Sequence, residues 1–167
     1  TSARLEPNDL GPAILCVFVA GLLGALFSRL LMFTAAGSRS WINRVRNARP
    51  YLFAAACGLA VALIGLSSGG KLFGSGYEHT RLLIEGMESL PIVETLGKIA
   101  ATVLSYWSGI PGGIFSPDLA IGAGIGQDIG TLFSDPKQTL VAIGMVAFLA
   151  AATQAPLTSF IIVMELT

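Results

Sequence analysis

A run of prolines and glycines interrupts a strongly apolar chain. Residues 109–117 read Gly-Ile-Pro-Gly-Gly-Ile-Phe-Ser-Pro, with three glycines and two prolines in nine positions. Neither residue type continues a helix well, so the run predicts a break in a hydrophobic helical segment. Non-helical backbone at membrane depth is tolerated only where it is buried in protein or lines a water-filled cavity. The break therefore favours a fold in which helices end inside the membrane.

The composition supports a polytopic membrane protein. The chain is 53% hydrophobic and only 12% charged, whereas soluble domains are about 25% charged. Ten basic and ten acidic residues cancel, so the net charge says nothing about partners. Cys16 and Cys57 lie in apolar runs, which favours buried packing over a disulfide or a metal pair. The single histidine, His79, excludes a multi-histidine metal site.

Apolar runs predict an all-α protein of about eight helical pieces, several of them shorter than the roughly 20 residues that a span needs. This pattern is typical of a polytopic transporter fold with broken, tilted helices. A glycine-rich loop at 69–77 and a turn at Ser134-Asp135-Pro136 separate some pieces. Seven of these pieces have clear bounds, at residues 10–33, 51–68, 78–89, 92–107, 117–133, 139–152 and 156–166.

Residues 37–50 are predicted to form a cytoplasmic loop. They carry Arg39, Arg44, Arg46 and Arg49 and no acid, which fits the positive-inside rule better than a nucleic-acid patch. We expect a multi-pass protein of a bacterial inner or plasma membrane. The apolar run at the end of the sequence leads us to expect a fragment of a longer chain.

The break itself has the features of an anion site. Gly112 and Gly113 are expected to turn the backbone tightly, and Ser116-Pro117 to start a helix. This arrangement leaves the amides of Ile114, Phe115 and Ser116 without helical acceptors and pointing at a ligand. The helix dipole places about half a positive charge there. No lysine or arginine is close to the break in sequence. An anion would therefore bind without a full positive charge that holds it too tightly to leave. The alternative is an ordinary loop between two spans.

Three acidic residues and a stripe of glycines accompany the break. Asp118 is expected to interact with the helix dipole at an exposed terminus; alternatively, its charge opposes the anion. Glu165 is expected at the membrane edge or paired with another helix, with a direct role in transport as the alternative. Asp128 is expected to face water or a loop. Lys98 is expected to pair with Glu94. Small residues that let helices approach closely recur at Gly122, Gly126 and Gly130.

Residues 108–117 resemble the G-G-x-F-x-P signature of the CLC chloride channel and chloride/proton antiporter family. Three further stretches are similar to that family in order and spacing. They are Gly74-Ser75-Gly76-Tyr77, the glycine-rich helix at 119–130, and Gln154-Ala155-Pro156-Leu157-Thr158 with Val163-Met164-Glu165-Leu166-Thr167.

The resemblance implies two inverted repeats and a homodimer in which each subunit holds its own pore. The chain, 1–167, would form part of this transmembrane domain: the end of the first repeat and most of the second, without the gating segment of the first half and without the C-terminal helices. The amides of Ile114 and Phe115 would coordinate the central anion, and the Phe115 side chain would flank it. Residues 11–33 and 156–167 would contribute to the dimer interface.

The family's gating glutamate motif, selectivity serine motif, proton-transfer glutamate and pore tyrosine have no match here. The choice between channel and antiporter therefore stays open. The resemblance implies chloride transport without covalent chemistry or a cofactor, with chloride and a second copy of the chain as partners. The composition adds the lipid bilayer as a partner and gives no sign of nucleic-acid binding. The alternatives are a structural fragment that binds no ion and an unrelated cation-coupled transporter.

Overall fold

The computed structural model describes residues 10–35, 41–70, 72, 74, 76–84, 91–110, 112–133 and 138–167. Across these residues the chain forms α-helices joined by short connections, with no strand. The helices are α1 (Leu10–Ala35), α2 (Trp41–Ala48), α3 (Pro50–Ser67), α4 (Tyr77–Ile84), α5 (Ile92–Trp107), α6 (Phe115–Leu132), α7 (Gln138–Thr153) and α8 (Pro156–Leu166).

Two helices are long and apolar enough to cross a membrane by themselves. They span Leu10–Phe33 within α1 and Pro50–Ser67, which is α3. Pro50 occupies the first turn of α3, where its missing N–H costs no helical hydrogen bond. The helices α7 and α8 are apolar but shorter. The described part of the chain thus combines full spans with short pieces, as expected for broken helices.

The core lies where α7 packs between α1 and α6. Phe27 of α1 and Phe148 of α7 are almost completely buried, and their ring centroids lie 5.5 Å apart. Ile121 of α6 and Met145 of α7 are also fully buried. Because these side chains interlock, α7 fixes the position of α6 and therefore of the break that precedes it.

Glycines allow α6 and α7 to meet backbone to backbone. A Cβ atom added at Gly122 would lie 2.7 Å from the carbonyl oxygen of Gly144. A Cβ at Gly126 would overlap the carbonyl oxygen of Leu140. Gly130, one turn further along, is buried as well. Such close approach is what a small residue at every fourth position permits.

The structure moves two predicted boundaries. A helix, α2, occupies most of the predicted loop at 37–50, because Ile42 and Val45 recur at helical spacing and α2 packs against α3. The helix predicted to begin at 117 begins at Phe115. The turn predicted at 134–136 and the second half of the helix predicted at 78–89 lie outside the described residues.

Candidate anion-binding site

The start of α6 borders a cleft of about 200 Å³. One wall is the backbone of the break, the second is a face of α5, and the third is the segment that leads into α4. The residues that line it are Val61, Leu72, Gly74, Lys98, Ala101, Thr102, Ser105, Tyr106, Ile110, Gly112, Gly113, Ile114 and Pro117. A cleft of this kind, with bare backbone in its wall, is where a small ligand meets main-chain groups.

The helix start leaves backbone donors without helical partners. The N–H of Asp118 donates to the carbonyl of Ile114 at 3.0 Å, which closes the first turn of α6. The N–H groups of Ile114 and Phe115 come before that bond, where an α-helix provides no acceptor of its own. Pro117 has no N–H. These amides and the helix dipole together favour a negative charge at this end of α6.

The predicted site residues divide into two groups. Gly112, Gly113, Ile114 and Pro117 line the cleft, whereas Phe115 and Ser116 are absent from its wall. The Phe115 side chain is 53% exposed, and Ile114 packs partly into the core formed by α1, α5, α6 and α7. Coordination of an anion by the Ile114 and Phe115 amides, with the Phe115 ring beside it, therefore stays a prediction.

The sharp turn lies earlier than the sequence predicted. Gly109 has a φ of 82°, a left-handed conformation that glycine adopts without strain. Gly112 and Gly113, where the turn was expected, have no positive φ. A Cβ at either position would meet nothing within 4 Å. Since both glycines line the cleft, their missing side chains leave that part of its wall as bare backbone.

A lysine reaches the cleft, contrary to the expectation of a site without a full charge nearby. Lys98 of α5 lines the cleft and is only 8% exposed. Its Nζ donates to the carbonyl of Leu72 at 3.0 Å and to that of Gly74 at 2.7 Å. Among the described residues, it is the only charged side chain in the cleft wall. An ionisable residue in an apolar helix is the signal that marks such a position.

The segment before α4 is held against α5 and α6. Gly76 has a φ of 83°, and a Cβ there would lie 2.8 Å from Ala120 Cβ and 3.3 Å from Lys98 Cε. The Gly76 carbonyl accepts from both the N–H and the hydroxyl of Thr80, each at 2.9 Å. These contacts fix the carbonyls that bind Lys98. Ser75, named in the sequence resemblance, lies outside the described residues.

Two of the hydroxyl groups in the cleft wall donate to carbonyls within α5. Thr102 donates to the Lys98 carbonyl and Ser105 to the Ala101 carbonyl, each at 2.8 Å. The donors that this wall can still offer a ligand include the amides of the break, the third proton of the Lys98 ammonium and the hydroxyl of Tyr106. Across the described residues, no three His, Cys, Asp or Glu side chains lie close enough to hold a metal ion.

The sequence predicted an exposed helix terminus at Asp118, but the structure buries this residue. Its side chain is 0% exposed. Neither carboxyl oxygen has a hydrogen-bond partner. The position is buried because α6 turns this face toward its neighbours one turn before Gly122, which touches α7. Asp128 on the same helix differs, since it is half-buried and accepts a hydrogen bond from Thr95 at 3.3 Å.

Comparison with known proteins identifies the family to which the chain belongs. A family model described as voltage gated chloride channel matches residues 1–167. The voltage-gated ClC-type chloride channel ClcB of Salmonella typhi is 32% identical over 159 residues, which cover 88% of this chain and 37% of that protein. ClcB of Escherichia coli K12 is 31% identical over 175 residues, which cover 99% of this chain and 40% of that protein. The chain thus spans about two fifths of the length of these curated relatives. No solved structure gave a significant match.

Proposed function

Because the chain belongs to the voltage-gated chloride channel family, we propose that it forms part of a membrane protein that transports chloride. The observation that carries this proposal is the cleft at the start of α6. Its wall combines the bare backbone of Gly112, Gly113 and Ile114 with the ammonium of Lys98, and none of its described side chains is acidic. A monovalent anion is the ligand that this set of donors suits.

In the proposed mechanism, backbone amides replace the water of a dehydrated anion. The N–H groups of Ile114 and Phe115 donate to it, and the dipole of α6 adds a partial positive charge. The Lys98 ammonium attracts anions to the cleft, but its two bonds to carbonyls hold it in place and offset part of its charge. An anion held in this way binds and leaves without covalent chemistry.

The proposed site is completed by parts of the protein outside this chain. The chain spans 37% to 40% of its relatives, and the motifs expected to carry the gate have no match in its sequence. We propose that the protein works as a homodimer in a bacterial inner or plasma membrane. The exposed apolar side chains of α1 and α8, such as Phe18 and Leu157, suit lipid or a second subunit.

The test removes a single backbone donor in the full-length protein that contains this chain. Replacing Phe115 by its α-hydroxy acid analogue changes the amide N–H to an ester oxygen and keeps the side chain. Hydrogen bonds to charged groups contribute about 1.5–3 kcal/mol, so chloride affinity is expected to fall about ten- to hundredfold. Calorimetric chloride titration and chloride efflux from liposomes measure the effect.

Phe133 provides the matched control. It is the same residue type at the other end of α6, is 47% exposed, and its N–H donates to the carbonyls of Gly130 and Ile129 at 3.2 and 3.3 Å. The same ester at Phe133 should leave chloride affinity unchanged. Equal affinity with the ester at Phe115 would contradict the amide site. Sodium-dependent flux would instead support a cation-coupled transporter, and no anion binding at all would support a structural module.

A further inference from the structure

We propose that Asp118 is a proton-binding site behind the anion site and that its protonation raises the affinity for the anion. The inference rests on the proposed function for the identity of the anion but not for the existence of the proton site. It starts from one observation: both oxygens of a carboxyl group with 0% exposure lack a hydrogen-bond partner.

Complete burial without a partner selects the neutral form of a carboxyl group. An ionised carboxylate in an apolar interior is strongly disfavoured unless it is paired or hydrogen-bonded. Because the Asp118 oxygens are closed off from solvent by the chain itself, no segment outside this chain reaches them without rearrangement. A proton is the ligand small enough to satisfy the group in place.

The described side chains of the helices around α6 place no hydrogen-bond donor on the Asp118 carboxyl group. Among the helices that pack against α6, α7 carries no charged residue at all. The titratable or charged residues on the other elements are Cys16 and Arg29 on α1, Tyr77, Glu78, His79 and Arg81 on α4, Glu94, Lys98 and Tyr106 on α5, and Asp128 on α6 itself.

The dipole of α6 partly stabilises the ionised form of Asp118, so the carboxyl group can still lose its proton. Asp118 lies in the first turn, and its own N–H closes that turn onto Ile114. The positive end of the dipole therefore stabilises a carboxylate at Asp118 and an anion at the Ile114 and Phe115 amides alike. The two negative charges compete for the same partial charge, and each opposes the other across about one helical turn.

Proton and anion are consequently expected to bind cooperatively. A proton on Asp118 removes the competing charge, so the anion binds more tightly; by linkage, the bound anion favours the protonated acid to the same extent. A unit charge at this separation, with an effective dielectric constant near 20, changes anion affinity by about tenfold or more. The coupling thus gives the anion site a built-in dependence on pH.

The experiment compares the full-length protein with Asp118→Asn and Asp118→Ala variants. Chloride affinity is measured by calorimetry from mildly acid to mildly alkaline pH, and proton uptake on chloride addition is followed in weakly buffered solution. In the unsubstituted protein we expect affinity to fall about tenfold with rising pH and protons to be taken up. Both variants should hold the acid-side affinity at every pH and lose the corresponding proton uptake.

Asp128→Asn is the matched control, because Asp128 lies on the same helix but has a hydrogen-bond donor in Thr95. It should keep the full pH dependence. The proposal is overturned if the Asp118 variants retain that dependence. Should both variants fail to fold, the unsubstituted protein still decides the question: chloride binding without any proton uptake across the pH range rejects the coupling.

Infrared difference spectra between the unsubstituted protein and Asp118→Asn separate this proposal from the proposed function. A carbonyl band of a protonated carboxylic acid that disappears in the variant establishes the proton site even if no chloride binds. In that case the proposed function fails and the proton site stands. A carboxylate band at all pH values rejects the proton site, whatever the protein transports.

Discussion

Lys98 shows how one side chain joins separate parts of the chain. Its ammonium binds carbonyls of Leu72 and Gly74 across the cleft, while its carbon chain lies against Gly76. Hydrogen bonds to a charged group in a buried position are stronger than neutral ones. Lys98 therefore holds the segment before α4 in place and supplies the positive charge of the cleft.

Replacing Lys98 by methionine should weaken both the fold and the proposed anion site. The change removes two charge-assisted hydrogen bonds, and we expect a loss of about 2–3 kcal/mol in unfolding free energy together with weaker chloride binding. Thermal unfolding in detergent and chloride titration measure the two effects. Arg44→Met, at an exposed arginine of α2, is the control and should change neither. Unaltered stability and affinity in Lys98→Met would show that the ammonium is dispensable.

The sequence can indicate what a single residue does where the reason is local, but not where it depends on how the helices pack. The amides at Ile114 and Phe115 follow from the break itself, because a helix start always leaves donors without helical acceptors. The contacts of Lys98 with Leu72 and Gly74 depend on how α5 packs, which no local pattern reveals. The complete burial of Asp118 has the same origin, since its sequence position alone suggested an exposed terminus.

At the level of elements, the crossing of α6 and α7 depends on glycine. Each of Gly122, Gly126 and Gly144 faces backbone atoms of the partner helix. A periodic stripe of small residues predicted the contact face of α6, although not which helix would cover it. The helix boundaries were harder to predict from the sequence. The clearest case is α2, an amphipathic helix of eight residues whose arginines are equally typical of a loop.

Gly126→Ala should destabilise the protein, even though alanine is the better helix former. The added methyl would overlap the Leu140 carbonyl oxygen, and overpacking of this kind costs about 1–3 kcal/mol. Gly21→Ala in α1 is the matched control, because a Cβ there meets nothing within 4 Å. It should be neutral or stabilising, since alanine favours a helix over glycine by about 1 kcal/mol. Comparison of thermal unfolding midpoints tests the difference in sign, and equal shifts would contradict the close crossing.

At the scale of the whole molecule, α3 is the helix from which we predict the orientation in the membrane. Its 18 residues extend about 27 Å, close to the thickness of the hydrocarbon layer. The arginines of α2 and its flank precede α3, while the turn at Gly69 and Gly70 follows it. The two ends of α3 should therefore lie on opposite sides, with α2 in the cytoplasm. Which helices would surround α7 was not predictable, because apolar helices without charged faces carry no signal of their partners.

Cysteine labelling of the full-length protein in intact cells tests this orientation. The two cysteines of this chain are buried, with Cys16 at 0% and Cys57 at 6% exposure, and alanine replaces them and any cysteine elsewhere in the protein before single reporters are introduced. Asn47→Cys, at an exposed position in α2, should resist a membrane-impermeant thiol reagent until the cells are permeabilised, whereas Ser67→Cys, at the exposed end of α3, should react at once. The physical reason is that four arginines between residues 37 and 50 disfavour translocation of that segment. The reverse pattern would place the arginines outside, and equal labelling of both reporters would mean that α3 does not span the membrane.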